Sequence, residues 1–317
     1  MSQLIALALG LALMSAVGAA SGTAAPEDYP MQAVRVTDRV YAILTPTREL
    51  PNPENRGWNS NSAFVVTDEG VLLFDTGSST TIGRALRQAI AGVTDQPVRW
   101  IINSHAHGDH WLGNAAFSDT VQAIYASTAV ADRVRSDGKD WVANFARMTG
   151  GATGDSTVMP PDHPVDARTE LRLGGSRFVL FPSNDSHSPG DLVLWLPEQR
   201  ILIPGDVVYS DRMPSTNHAR LDNWIAMLDE FLALEPVAVI PGHGGLTDGT
   251  GVERLRDLLQ TLRTAVLRGI EEGLSDYEML RHVNAALAPF KRHYPGLEGK
   301  LRRDISHVYL QLEAAVF

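Results

Sequence analysis

The sequence has no cysteine. That excludes disulfides, thiolate-ligated zinc, iron–sulfur clusters and a cysteine nucleophile. Positive charge is scarce: 27 Lys and Arg stand against 37 Asp and Glu, for a net charge of −10. A chain with that balance is not built chiefly to grip a phosphate backbone, so nucleic acid is not an expected partner. There is no internal repeat and, past the N-terminus, no low-complexity tract and no apolar run long enough to span a bilayer. What is present is ordinary: 44% hydrophobic and 20% charged residues in a chain of 317, enough to bury a large core without staples.

The first 25 residues differ from the rest. Residues 4–20 are almost wholly apolar, small residues follow, and Pro26, Glu27 and Asp28 open a polar chain. This is the layout of an export signal with a small-residue cleavage region, although no Lys or Arg precedes Arg35. The expectation is a signal peptide over residues 1–25 and a periplasmic or secreted product, with no stable membrane association after its removal. An uncleaved anchor is the alternative, since the run is barely long enough to span.

From Val34 onward short apolar runs end at Gly, Pro, Asn or Asp. Residues 40–44, 63–66, 71–74, 98–102, 178–181, 192–196, 200–203 and 237–240 read as strands. Residues 82–90 and 223–234 have helical spacing, so strands and helices interleave and the fold class is α/β. Helical patterns at residues 252–272 and 301–312, with Ser275 and Glu278 as a capping box, make residues 251–317 a helical extension packed on the domain of residues 26–250. Two Pro- and Gly-rich loops, residues 45–61 and 148–164, are long enough to serve as lids or binding segments.

The strand at 98–102 runs into Asn103-Ser104-His105-Ala106-His107-Gly108-Asp109-His110-Trp111. Three imidazoles and a carboxylate within six residues are costly to bury unless paired, and both groups are common metal ligands. In extended chain His105 and His107 point the same way and can share one cation, while Asp109 and His110, at the start of the next turn, can serve a second. Four more motifs follow predicted strands: Asp75-Thr76-Gly77, His187 in Ser186-His187-Ser188-Pro189-Gly190-Asp191, Asp206 in Pro204-Gly205-Asp206, and His243 in Pro241-Gly242-His243-Gly244.

In this order the motifs resemble those of the metallo-β-lactamase-fold hydrolase superfamily, over about residues 34–246. The resemblance implies a four-layer αβ/βα sandwich of two mixed sheets, with the site at one edge. It implies that His105, His107 and His187 hold one metal, that Asp109, His110 and His243 hold another, and that Asp206 bridges the two. Asp75 would orient a ligand loop. The implied cofactor is two zinc ions, with iron or manganese also suited to His and carboxylate donors. The implied reaction is attack by a bridging hydroxide on the carbonyl carbon of an ester, lactone, thioester or amide in a small-molecule substrate, with Asp109 or Asp206 moving the proton. Alternatives are β-lactam hydrolysis, iron-dependent persulfide oxygenation, and a periplasmic metal-binding accessory protein without turnover. The motifs do not set the oligomeric state. Trp58, Tyr209, Asn217 and His218 sit on loops that can reach a substrate, whereas Trp111 reads as core and Arg302-Arg303 as a solvated helix face.

Overall fold

A computed structural model describes residues 25–316. The signal-peptide expectation falls almost entirely on residues outside that span. Among the described residues no helix is long and apolar enough to cross a membrane.

Two sheets lie face to face. The first has seven strands in chain order: β1 (Ala33–Arg35), β2 (Val40–Ile43), β3 (Ser62–Val66), β4 (Val71–Phe74), β5 (Val98–Ile102), β6 (Ala123–Ala126) and β7 (His163–Pro164). Strands β1 to β4 pair antiparallel and β4 to β7 parallel. The second sheet contains β8 (Thr169–Leu173), β9 (Ser176–Pro182), β10 (Leu192–Leu196), β11 (Ile201–Tyr209) and β12 (Ala238–His243), in the order β12-β11-β10-β9-β8. Only its β11–β12 pair is parallel.

The layering follows from period-2 alternation. Leu72, Phe74, Trp100 and Ile102 face inward and meet Phe178, Leu180, Leu192, Leu194 and Ile203 of the other sheet. Their neighbours Leu73 and Ile101 face outward under α1 (Thr80–Ala91), onto Ile82, Leu86 and Ile90. On the opposite surface Val193, Trp195 and Leu202 are covered by α4 (Leu221–Ala233), α5 (Gly249–Glu271) and α7 (Leu297–Val316). The result is helix, sheet, sheet, helix. The remaining helices are the single turn α2 (Gly108–Trp111), the long α3 (Thr128–Met148) and the short α6 (Leu280–Ala286).

The predicted strands and helices all occur, with shifted ends. The last segment of the second sheet is longer than predicted: β11 continues from Ile201 through Asp206 to Tyr209. The Ser275–Glu278 box forms, with the Ser275 amide donating to Glu278 Oε2 at 2.9 Å, but α6 starts only at Leu280, after an intervening turn. The sequence reading left out β6, β8 and the 21-residue α3.

Candidate metal centre

The donors gather where strands of both sheets end. His105 and His107 follow β5, and the turn α2 carries Asp109 and His110. His187 lies in the loop between β9 and β10, and Asp206 lies within β11. His243 is the last residue of β12. The β11–β12 register shifts between the Gly205↔Pro241 and Tyr209↔His243 pairs, which brings Asp206 and His243 side by side. Only glycine fits at position 242, because a Cβ there would lie 2.1 Å from Asp206 Oδ1.

The structure brings all seven sequence-predicted donors together in two adjoining groups, His105, His107, His187 and Asp206 in one and Asp109, His110 and His243 in the other. Within each group the donor atoms lie within 4.8 Å of one another. His107 Nδ1 is 2.8 Å from His105 Nε2 and 3.2 Å from His187 Nε2. Asp206 Oδ2 is 3.7 Å from His105 Nε2, 3.5 Å from His187 Nε2 and 3.2 Å from His243 Nε2. Asp206 Oδ1 is 3.3 Å from His110 Nε2. Asp109 Oδ2 is 3.7 Å from His110 Nε2 and 3.6 Å from His243 Nε2. Asp206 is thus the one carboxylate that reaches both groups.

The outer hydrogen bonds decide which ring nitrogen keeps its proton. Asp75 Oδ2 is 2.7 Å from His110 Nδ1, so that nitrogen donates and Nε2 turns inward bare. Ser104 Oγ donates to the same Asp75 oxygen at 2.7 Å and therefore accepts from His105 Nδ1 at 2.9 Å, which bares His105 Nε2. His107 Nε2 lies 3.0 Å from His218 Nδ1, and His243 Nδ1 lies 2.7 Å from the Asn59 carbonyl and 2.8 Å from Arg212 Nη1, which can only donate. His105 and His110 therefore aim lone pairs at one small volume, to which His107, His187 and His243 each bring a further ring nitrogen. His110 Nε2 and Asp206 Oδ1 are buried there with no hydrogen-bond partner. Lone pair facing lone pair in a buried site is unfavourable until a cation sits between them, so the residues fit a metal.

Charge agrees with geometry. Burial, with help from neighbouring imidazoles, lowers His105 well below its ordinary range, His107 to about 4 and His187 to about 3, so all three are neutral at pH 7, as ligands must be. Burial disfavours charge on His110 as well, but Asp206, Asp109 and Asp75 outweigh it and push its pKa up to about 10. Without a cation those carboxylates would hold a second proton on His110, at Nε2, and a bound cation would take that proton's place. Burial would raise Asp206, yet His243, His110 and His105 hold it well below the usual carboxylate range.

Several supporting residues have no motif of their own. Asn59 Nδ2 donates to Asp109 Oδ2 at 2.8 Å, and Ser60 Oγ donates to the Asp109 carbonyl at 2.5 Å. Asp191 Oδ2 accepts from the amides of His187 and Ser188, both at 2.8 Å, and so shapes the His187 loop. Arg212 Nη1 lies 2.8 Å from His243 Nδ1 and 3.5 Å from the Asn59 carbonyl. The only sequence signal for these was their place in loops next to ligands.

A cavity of about 220 Å³ opens onto the donors. Tyr209, Asn217 and His218 line it, together with Trp141, Phe145 and Met148 of α3 and Lys300 and Arg303 of α7. Tyr209 stacks on His243, with ring centroids 5.1 Å apart, and its hydroxyl donates to Asp206 Oδ2. Two expectations are corrected here. Trp58 does not line the cavity; it is buried in the apolar cluster with Ile43 and Phe64, because its loop turns the indole down onto β2 and β3. Arg303 is not merely a solvated helix face, since α7 crosses the cavity mouth. Trp111 is fully buried, as a core residue.

Among the described residues, His218 is the hydrogen-bond partner that His107 Nε2 finds outside the two donor groups. Replacing His218 by Ala is expected to weaken metal binding about 10- to 100-fold in competition with a chelating dye. His218→Gln, which can still accept, should restore much of that affinity. Unchanged affinity in His218→Ala would show that the contact does not orient His107.

Asp304 of α7 anchors the loop that carries Asn217 and His218. It is fully buried, accepts from Thr216 Oγ1 at 2.7 Å and leaves Oδ2 without a partner. Burial pushes its pKa up to about 6, against a partial pull downward from Thr216, Lys300 and Arg303. A carboxyl held above its unfolded value of 3.8 loses stability for the fold as pH rises through about 6. Asp304→Asn should therefore gain about 1 kcal/mol on the wild type between pH 5 and pH 7.5 in chemical unfolding. A pH-independent difference would rule out the carboxyl as the source.

The sequence profile of the metallo-beta-lactamase superfamily matches residues 55–243, well over half of the chain. The chain belongs to the metallo-β-lactamase superfamily. All seven donors lie within the match. Among curated members, a linear primary-alkylsulfatase of Pseudomonas sp. is 25% identical over 294 residues, which is 78% of this chain and 55% of that protein. This chain thus spans about half the length of that relative. A metallo-beta-lactamase of Chryseobacterium indologenes is 25% identical over 207 residues, 64% of this chain and 79% of that protein. Among solved superfamily structures, a metallo-beta-lactamase from Pontibacter korlensis superposes with a TM-score of 0.59 at 21% identity, covering 73% of this chain and 99% of that one. A sec-alkylsulfatase from Pseudomonas sp. gives a TM-score of 0.65 at 16% identity, covering 89% of this chain and 50% of that one. These superpositions establish the shared fold: two mixed sheets with helices outside, extended by C-terminal helices.

Proposed function

We propose that the protein is an exported, dinuclear metal-dependent hydrolase of small-molecule esters, lactones, thioesters or amides. The observation that carries the reading is the convergence of seven donors, six of them buried, with the protons of His110 and His105 held outward by Asp75 and Ser104. Two zinc ions suit this set, and iron or manganese would also be accepted. Such cations supply, when bound, a water acidic enough to attack at neutral pH and polarise the bond under attack. The chain's own residues do the rest. Asp206 stays ionised between the two groups. Asp109, held by Asn59 at Oδ2, the oxygen that faces His110 and His243, takes or passes on a proton. Tyr209 fixes the orientation of Asp206 through its hydroxyl. Trp141, Phe145 and Met148 shield one side of the cavity from water.

A second reading, hydrolysis of a sulfate ester, is supported by the alkylsulfatase relative, whose match extends over 78% of the chain against 64% for the β-lactamase. The test is metal analysis of the purified protein with a panel of 4-nitrophenyl acetate, a lactone, a thioester, nitrocefin and an alkyl sulfate. About two equivalents of metal with turnover of an ester, lactone or thioester is the expected result. Nitrocefin as the preferred substrate would select the β-lactamase alternative, and the alkyl sulfate the second reading. Two metals with no turnover of any class would leave a metal-binding protein without hydrolysis.

A further inference from the structure

Helix α7 carries two stripes side by side. Leu297, Leu301, Ile305, Val308 and Leu312 form an apolar one, buried in the core outside the second sheet. Next to it Lys300, Asp304, His307 and Gln311 recur at intervals of four, three and four residues, the spacing of one helical face. All four meet the same short segment, the loop between β11 and α4. Lys300 Nζ donates to the Met213 carbonyl at 2.6 Å. Thr216 Oγ1 donates to Asp304 Oδ1 at 2.7 Å and, its proton so engaged, lies 3.3 Å from His307 Nδ1 as an acceptor. Gln311 takes two backbone groups: its Nε2 donates to the Ala219 carbonyl and its Oε1 accepts from the Leu221 amide, both at 3.0 Å.

The shape of the loop shows what these bonds hold. The Ala219 amide donates to the Thr216 carbonyl at 3.2 Å, which closes a four-residue turn with Asn217 and His218 at its corner. Thr216 and Ala219 are buried, whereas Asn217 and His218 line the cavity over the donors. Asp304 and Gln311, two helical turns apart, therefore pin the two ends of the turn. The corner between them sets His218 Nδ1 3.0 Å from His107 Nε2. A corner fixed in the folded chain has its ordering cost met before a cation arrives, so less is subtracted from the affinity. We propose that α7 is a positioning element of the metal centre: Asp304 and Gln311 hold the Thr216–Ala219 turn, and through His218 they set the orientation of His107 and the affinity for a cation at His105, His107, His187 and Asp206. This requires a cation at those donors and does not require turnover of any substrate. The C-terminal extension is then coupled to the metal centre and more than a cover for the second sheet.

Zinc affinity of the full chain, measured by competition with a chelating dye, is the test. Gln311→Met keeps the length of the side chain, loses both hydrogen bonds and should weaken zinc binding about three- to tenfold. Thr216→Val removes the hydroxyl at nearly constant shape and should do the same, and Thr216→Ser, which keeps it, should restore the wild-type value. In a His218→Ala background Gln311→Met should cost less than about twofold more, because the residue through which it acts is gone. Ser306→Ala releases a hydrogen bond of the same helix to Asp276, off the stripe, and should leave the affinity unchanged. Wild-type affinity in both Gln311→Met and Thr216→Val would overturn the proposal. So would an undiminished Gln311→Met effect in the absence of His218, or equal weakening by Ser306→Ala, since α7 would then act on the fold at large. Zinc binding that depends on Gln311, with no turnover on the substrate panel, would count against the hydrolase reading and not against this one. Turnover with zinc affinity indifferent to Gln311 and Thr216 would do the reverse.

Discussion

Removal of metal by a chelator is expected to abolish hydrolysis and to lower the melting temperature by on the order of 10 °C. Both effects have one cause. Without a cation, five imidazoles crowd ring nitrogens together beside two buried carboxylates, and neither His110 Nε2 nor Asp206 Oδ1 makes a hydrogen bond. A ligand that binds only the folded state at about a thousand times its dissociation constant stabilises by about 4 kcal/mol per site. Readdition of zinc should return both the melting temperature and the activity. A melting temperature unmoved by complete demetallation, verified by elemental analysis, would refute the cation-dependent reading of the cluster.

Asp206→Ala should produce the largest single-residue loss, about a thousandfold or more in kcat/KM. Asp206 is the only donor within reach of both groups, at 3.2 Å from His243 and 3.3 Å from His110 on one side and 3.5 Å from His187 on the other. Its removal also frees the Tyr209 hydroxyl. Metal content should fall from about two equivalents towards one or none, measured by elemental analysis after gel filtration. A variant that keeps two equivalents and loses less than tenfold in kcat/KM would show that the two groups do not depend on a shared carboxylate.

The donor cluster was readable in the sequence because each donor sits in a short motif that a strand end imposes. His105 and His107 are two residues apart in extended chain, and Asp206 and His243 are flanked by the glycines that tight approach requires, Gly205 and Gly242. The cavity walls were not readable. Helix α3 has Gly138 in its middle and charged residues through most of its turns, and it buries only Val130, Ala131, Val134, Gly138 and Phe145, so its apolar stripe is thin. The aromatic wall at Trp141 went unseen with it. Lys300 and Arg303 are far along the chain from every ligand, and only the packing of α7 against the second sheet's outer layer brings them to the cavity. Trp58 illustrates the opposite error: a large aromatic on a Pro-rich loop can serve as an anchor for that loop instead of reaching into the site.

Donors and walls come from different parts of the chain. The seven donors are fixed at the ends of the two sheets, and most of the remaining cavity lining is shared among α3, α7 and the loops that follow β2 and β11. Exchanging side chains along those two helices could therefore redirect which molecules are taken up while the reactive hub stays intact, so selectivity in this protein can drift or be engineered separately from chemistry.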